Sequence, residues 1–286
     1  KPFWLKALSS SFGSLFYFLQ SSQRPDCIAR VMRATLLAAR RTLLLDGAMG
    51  TELARIGATS MGSPGWTQRP HLTASGQCAI KEVHRSYLEA GCDIICTHTY
   101  NLCDLYFKVS DVDLGEDTNV AALQKNAVAL AKEAVEEFVA RASSDQQHLP
   151  SQGRPAVAAV IGPYGAAAES GGDYTFDYSG VDPTVLRHFH RSRVAALAAA
   201  GPDLLLFETL TSEAELRAII DVLEELSLTA WVSFSCDSKG NGSTTANGEA
   251  WAEIVRLADR SARIEALGVN CTMPSAADAA ISTARR

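Results

Sequence analysis

Glu265-Ala-Leu-Gly-Val-Asn-Cys271, followed by Thr272, is a mostly apolar run that enters a polar Asn-Cys pair. It reads as a buried strand whose last residues emerge at a rim. In parallel α/β sheets, chemistry collects where strands end at their carboxyl side. A thiol there is a candidate metal ligand or nucleophile. The competing reading is a small buried hydrophobe, as most free cysteines are.

Working outward, the same pattern recurs. Leu43-Leu-Leu-Asp46, Asp93-Ile-Ile-Cys-Thr97, Ala156 to Ile161, Asp203 to Phe207 and Ala230 to Phe234 are continuous apolar runs. Helical spacing follows most of them: Ile80, Val83, Tyr87 and Leu88; Val120 to Phe138; Leu186 to Leu197; Leu216 to Leu226; Trp251 to Ala258. Ser212-Glu-Ala-Glu215 reads as a capping box opening one of these helices. Strand and helix alternate six times, and the strands are apolar throughout rather than alternating. Such strands are covered by helices on a parallel sheet. Long loops fall after strands, notably residues 57–78, as in a (β/α)8 TIM barrel; an open doubly wound sheet is the alternative. Only about six of eight βα units are present, which predicts open strand edges.

Residues 1–41 differ. Asp26 is their only acid, against seven Lys and Arg, and serines cluster at Ser9 to Ser11. The segment reads equally as a transit-like leader or as translated sequence upstream of a start at Met32. Residues 42–286 are the expected folded domain. The net charge of −6 argues against nucleic-acid and anionic-membrane partners. No apolar run reaches the ~18 residues of a spanning helix. Seven cysteines at irregular spacings, without a secretory signal, point to free thiols. The expected compartment is cytoplasmic, or an organelle if the leader is a transit segment.

Asp46 and Glu208 both end strands. Two acids at one rim suit a general acid/base pair or a clamp for a cationic group. Taken singly, Asp46 suits a loop cap and Glu208 a rim salt bridge or helix cap. Cys92, Cys96 and Cys103 lack the spacing of a zinc ribbon and read as buried thiols. His98 ends a strand and is a further candidate to face the site. No dinucleotide fingerprint, P-loop, HExxH or Gly-x-Ser-x-Gly occurs.

Asp46-Gly-Ala-Met-Gly-Thr-Glu-Leu53, Ala90-Gly-Cys-Asp-Ile-Ile-Cys-Thr97 with Thr99-Tyr100, Gly162-Pro-Tyr-Gly-Ala166, Phe207-Glu-Thr-Leu210 and Gly268-Val-Asn-Cys271 appear in that order. As a set, over residues 42 to 286, they resemble the homocysteine S-methyltransferase family. The Asp-Tyr-Thr-Phe-Asp-Tyr stretch ending at Tyr178 resembles the branch that uses S-methylmethionine or S-adenosylmethionine. The resemblance implies a (β/α)8 barrel that binds zinc through three cysteines and transfers a methyl group from a sulfonium donor to homocysteine, giving methionine. It implies Cys271 as one zinc ligand. The other two belong to a Gly-Gly-Cys-Cys motif that residues 1–286 do not contain, and on this reading the chain stops short of it. Asp46, Gly47 and Glu208 are implied to hold the amino-acid end of homocysteine, with Asn270 shaping the same pocket. His98 and Asn101 depart from the Asn and Gln usual in the family. A zinc-free relative that binds an amino acid or a partner is the alternative.

Overall fold

The computed structural model of the chain describes residues 4–7, 16–20, 42–114, 119–145, 153–169, 172–237 and 242–284. The strands are β1 (Trp4–Ala7), β2 (Phe16–Gln20), β3 (Ile94–Cys96), β4 (Ala156–Ile161), β5 (Leu204–Leu210), β6 (Ala230–Phe234) and β7 (Ile264–Val269). The helices are α1 (Met49–Arg55), α2 (Ala74–Glu89), α3 (Asp104–Val109), α4 (Val120–Asp145), α5 (Tyr164–Ala168), α6 (Pro183–Ala199), α7 (Glu213–Glu225), α8 (Trp251–Arg260) and α9 (Pro274–Ala284). Strands β3 to β7 lie side by side in chain order, and each neighbouring pair is parallel. The fold is therefore α/β with a parallel sheet. No strand-order reversal, the mark of a doubly wound sheet, occurs along these five strands.

Two expectations change. The run Leu43 to Asp46 is not a full strand. It joins β3 through one parallel bridge, Leu45 to Ile94, and is pinned where the Leu44 N–H donates to Asp93 Oδ2 at 2.8 Å. Also, the outer edge of β7 is not open. β2 pairs with it antiparallel, Tyr17 opposite Val269 through Gln20 opposite Ala266, and β1 pairs with β2. The rest of residues 1–41, on which the leader expectation falls, lies outside the described residues.

The apolar strands are explained by burial on both faces. Ala159, Ile161, Leu205, Phe207, Val232, Phe234, Leu267 and Val269 pack outward against Val194, Leu216, Ile219, Leu223 and Ile254 of the helices. Their alternate neighbours face inward: Ala158, Val160, Leu204, Leu206, Trp231 and Ala266 form one cluster with Leu43, Leu45 and Ile94. The period of two sends successive side chains to opposite faces, and both faces are dry. The inner cluster runs from residues of the first segment of the sheet to Ala266 of β7. Helix entry follows local chemistry. Thr73 Oγ1 caps α2 by accepting from Gly76 N at 3.1 Å, which starts that helix inside the expected 57–78 loop. Asp182 caps α6 through Thr184 N at 2.8 Å.

The capping box at α7 forms only in half. Ser212 Oγ accepts from Ala214 N at 3.2 Å, but Glu215 does not reach back. Glu215 is fully buried. It accepts from the Tyr164 N–H and from the Tyr178 hydroxyl at 2.7 Å, and lies 2.8 Å from His190 Nε2. A motif that looked like helix chemistry instead anchors both ends of the loop between α5 and α6. Glu249 takes its place at the helix, accepting from the Glu213 N–H.

Candidate active site

A cavity of about 470 Å³ opens at the carboxyl ends of the parallel strands. Asp46, Gly47, Glu208, Asn270 and Cys271, scattered over the sequence, all line it, as does His98. The sheet brings them together because each lies at or just beyond the carboxyl end of its strand or segment.

Asp46 is buried, and its Oδ2 accepts from the Cys96 backbone N–H at 2.7 Å. Burial outweighs that hydrogen bond and pushes its carboxyl up to about 7. Glu208 is half-buried. Burial, and then the negative charge of Asp46, push it up to about 8. The two acids thus share a region short of positive charge. Among the described residues no Lys or Arg lines the cavity, and neither acid has an ion-pair partner. Gly47 is held close to Tyr87: a Cβ there would fall 2.6 Å from the Tyr87 hydroxyl.

Asn270 does not simply face the cavity. It is buried. Its Oδ1 accepts from Thr209 N at 3.0 Å, and its Nδ2 donates to Thr209 Oγ1 at 2.8 Å. Thr209 sits at a register shift in β5 with φ of 62°, and Cys271 has φ of 48°. Both are non-glycine residues in the left-handed region, at a bulge beside the cavity, where such geometry re-aims side chains. Asn270 thereby fixes the bulge that turns Glu208 inward and also lies 3.6 Å from the Cys271 sulfur. Ser235 Oγ donates to the Cys271 carbonyl at 3.1 Å and holds the following turn.

His98 is buried, and burial holds its imidazole well below the usual range, so it is neutral. Its ring stacks on His71 at 4.9 Å between centroids, and its carbonyl accepts from His71 Nε2 at 2.7 Å. Arg193 of α6, also buried, donates to the carbonyls of Gly162 at 2.9 Å and Tyr100 at 2.7 Å. It ties the end of β4 to the loop after β3.

Asp173, Tyr174 and Thr209 line the cavity and fall in motifs the sequence singled out without giving these residues a role; Trp66 and Tyr106 also line it and fall in none. Tyr100 donates from its hydroxyl to Asp173 Oδ1 at 2.8 Å. Tyr174 hydrogen-bonds the Cys271 thiol, and its phenol is held up by burial and by that thiol. The available signal was an acid and aromatics in one glycine-containing loop, which also fits a surface turn.

Cys271 is in place to act as a metal ligand, but its surroundings do not complete a site. Among the described residues no three His, Cys, Asp or Glu side chains converge as a metal cluster. Cys96 lines the cavity and Cys103 is buried elsewhere, and neither forms such a cluster with Cys271. One thiolate falls short of the three protein ligands usual for catalytic zinc, so no chemical step is derived through a metal.

An α/β enzyme is defined by these features: a parallel sheet, a strand-end cavity, and within it two unpaired acids and a thiol. The chain belongs to the homocysteine S-methyltransferase family, whose model matches residues 43–286. Homocysteine S-methyltransferase 1 of Zea mays is 35% identical over 240 residues, covering 81% of this chain and 69% of that protein. The selenocysteine methyltransferase of Astragalus bisulcatus is 32% identical over 248 residues, covering 82% and 70%. The crystal structure of the homocysteine methyltransferase MmuM from Escherichia coli, metallated form, superposes with a TM-score of 0.73 at 31% identity, covering 87% of this chain and 81% of that one.

Proposed function

We propose that the chain transfers a methyl group from a cationic sulfonium donor, S-methylmethionine or S-adenosylmethionine, to the thiol of homocysteine, giving methionine. The observation that carries this reading is the acidic lining of the cavity: Asp46, Glu208 and Asp173 line it, and no Lys or Arg does among the described residues. Such a wall favours cations and rejects phosphorylated or polyanionic donors. It suits an acceptor ammonium and a sulfonium together.

In this reading Asp46 and Glu208 take the ammonium of homocysteine, beside Gly47. Asn270 keeps Thr209, Glu208 and Cys271 in register. The acceptor sulfur, as thiolate, attacks the donor methyl carbon. A new S–CH3 bond forms while the sulfonium S–CH3 bond breaks, and its electron pair stays on the departing sulfur as a neutral thioether. The protein's contribution is alignment in line and exclusion of water. The donor sulfur starts as a cation and leaves as a neutral thioether, so its departure needs no proton.

The sheet is read as part of a (β/α)8 barrel, with residues 42–286 as the catalytic domain. The inner cluster shared by Leu43 and Ala266 supports that reading. Zinc is the proposed metal, with Cys271 as one ligand; zinc would keep the acceptor sulfur ionised at neutral pH. The metallated form of the Escherichia coli relative supports a metal in this family.

Two measurements test the reading. Each donor is offered separately with homocysteine, and methionine is followed by mass spectrometry. Formation from a sulfonium donor supports the assignment; turnover only with a neutral or anionic donor rejects it. Metal content is measured for the protein and for Cys271→Ser. Equal zinc in both would remove Cys271 from the ligand set.

A further inference from the structure

We propose that Asp173, framed by Tyr100, Tyr106 and Tyr174, is the recognition site for the positive charge of the methyl donor, separate from the Asp46–Glu208 pair that serves the acceptor. The inference rests on the methyltransferase reading above and adds to it a residue that selects the donor.

The cavity has two acidic poles. At one, Asp46 accepts from Cys96 N at 2.7 Å, and its charge acts on Glu208. At the other, Asp173 accepts from the Tyr100 hydroxyl at 2.8 Å, and its charge acts on Tyr100, Tyr106 and Tyr174. The second pole adjoins Cys271 directly, through the Tyr174 hydroxyl. A methyl donor must bring its sulfonium beside the acceptor sulfur, so the cationic centre belongs on the Cys271 side. Tyrosine faces attract such a soft cation, and the carboxylate adds charge.

The pole is prebuilt. Asp173 follows Gly172, whose N–H donates to the Glu169 carbonyl at 2.9 Å. Gly172 tolerates no side chain, since a Cβ would lie 2.5 Å from the Gly165 carbonyl oxygen. Beyond Asp173, Phe176 packs edge-on to Tyr164 and Tyr178 at 5.5 and 5.0 Å, and buried Glu215 ties down Tyr164 and Tyr178. Among the described residues Asp173 pairs with no Lys or Arg. Tyr100 uses its hydroxyl on one carboxylate oxygen and leaves the negative charge uncompensated.

This role has a kinetic signature. The sulfonium loses its charge as the methyl leaves, so a nearby carboxylate stabilises bound donor more than the transition state. Removing that charge raises the donor KM while kcat holds or rises. Asp173→Asn keeps an oxygen for the Tyr100 hydroxyl and removes only the charge.

The experiment compares binding of S-methylmethionine with that of its neutral carbon isostere, 2-amino-5-methylhexanoate, by calorimetry with the acceptor site saturated by methionine. The proteins are wild type, Asp173→Asn and Asp173→Glu. Wild type is expected to prefer the sulfonium; Asp173→Asn should lose about tenfold of that preference and Asp173→Glu should keep most of it. In turnover, Asp173→Asn should raise the donor KM by a similar factor and leave the homocysteine KM alone. An unchanged sulfonium preference in folded Asp173→Asn would overturn the role of Asp173 and leave the methyltransferase reading intact. No binding or turnover of either ligand by wild type would overturn both.

Discussion

Occupying the acceptor site should expel about one proton at neutral pH. Asp46 titrates near about 7 and Glu208 near about 8 when the cavity is empty. At pH 7 roughly half of the first and nine-tenths of the second are protonated, so the pair carries roughly 1.4 protons. An ammonium placed between them favours both ionised forms and drives most of that charge out as protons. Methionine is the probe of choice, because it carries the same amino-acid end without an ionisable thiol. Calorimetric titration in phosphate and in Tris at one pH gives the proton count from the difference in apparent enthalpy. The expected release at pH 7 is about one proton, falling to roughly a quarter at pH 8.5, where both acids have already ionised. Affinity should tighten by up to about fiftyfold between pH 6 and pH 7. Glu208→Gln removes the larger share and leaves at most about half a proton. Measurable binding with no buffer dependence at pH 7 would refute the reasoning, since the pair would then not be where the ammonium lands.

Three further outcomes follow from the same geometry. The folded value of Glu208, about 8, lies above its ordinary 4.5, so its stabilising share is present below 4.5 and drains away as pH rises through 8. Glu208→Gln should therefore unfold later than wild type at pH 8, by about 1–3 kcal/mol in urea titration, while losing acceptor binding. His84 runs the other way: burial lowers it from 6.5 to about 3, so its share is full above 6.5 and lost as pH falls toward 3. Both its ring nitrogens lack a partner among the described residues. His84→Leu should match or exceed wild type at pH 7 and gain about 2 kcal/mol on it at pH 5; a variant whose deficit grows on acidification would contradict this. Asn270→Ala leaves Thr209 without the two hydrogen bonds of the Asn270 side chain at a left-handed backbone position. It should cost about 2–3 kcal/mol and most of the activity, and an unchanged melting temperature with full turnover would show that the bulge holds without it.

The strands were legible in the sequence because they are buried on both faces. A strand buried on both faces has no polar positions, so Ala156 to Ile161 and Leu204 to Phe207 announce themselves as continuous apolar runs. The candidate residues Asp46, Glu208 and Asn270-Cys271 were legible for a related reason: each residue or pair is the first polar or reactive group after such a run. Short helices were not. α3 and α5 span six and five residues, too few for a helical period to stand out.

What the sequence determined alone is the order of the five parallel strands with their long helices and the set of groups at their rims, because burial imposes composition one residue at a time. What only the tertiary structure decided is which groups meet. Glu215 lies three residues after a capping serine yet serves the loop that carries Asp173, and Asn270 grips Thr209, sixty-one positions away. Those partnerships depend on the placement of the strands and the direction of side chains across the sheet. Neither quantity has a local signature, since a hydrogen bond between distant residues leaves no period in the chain.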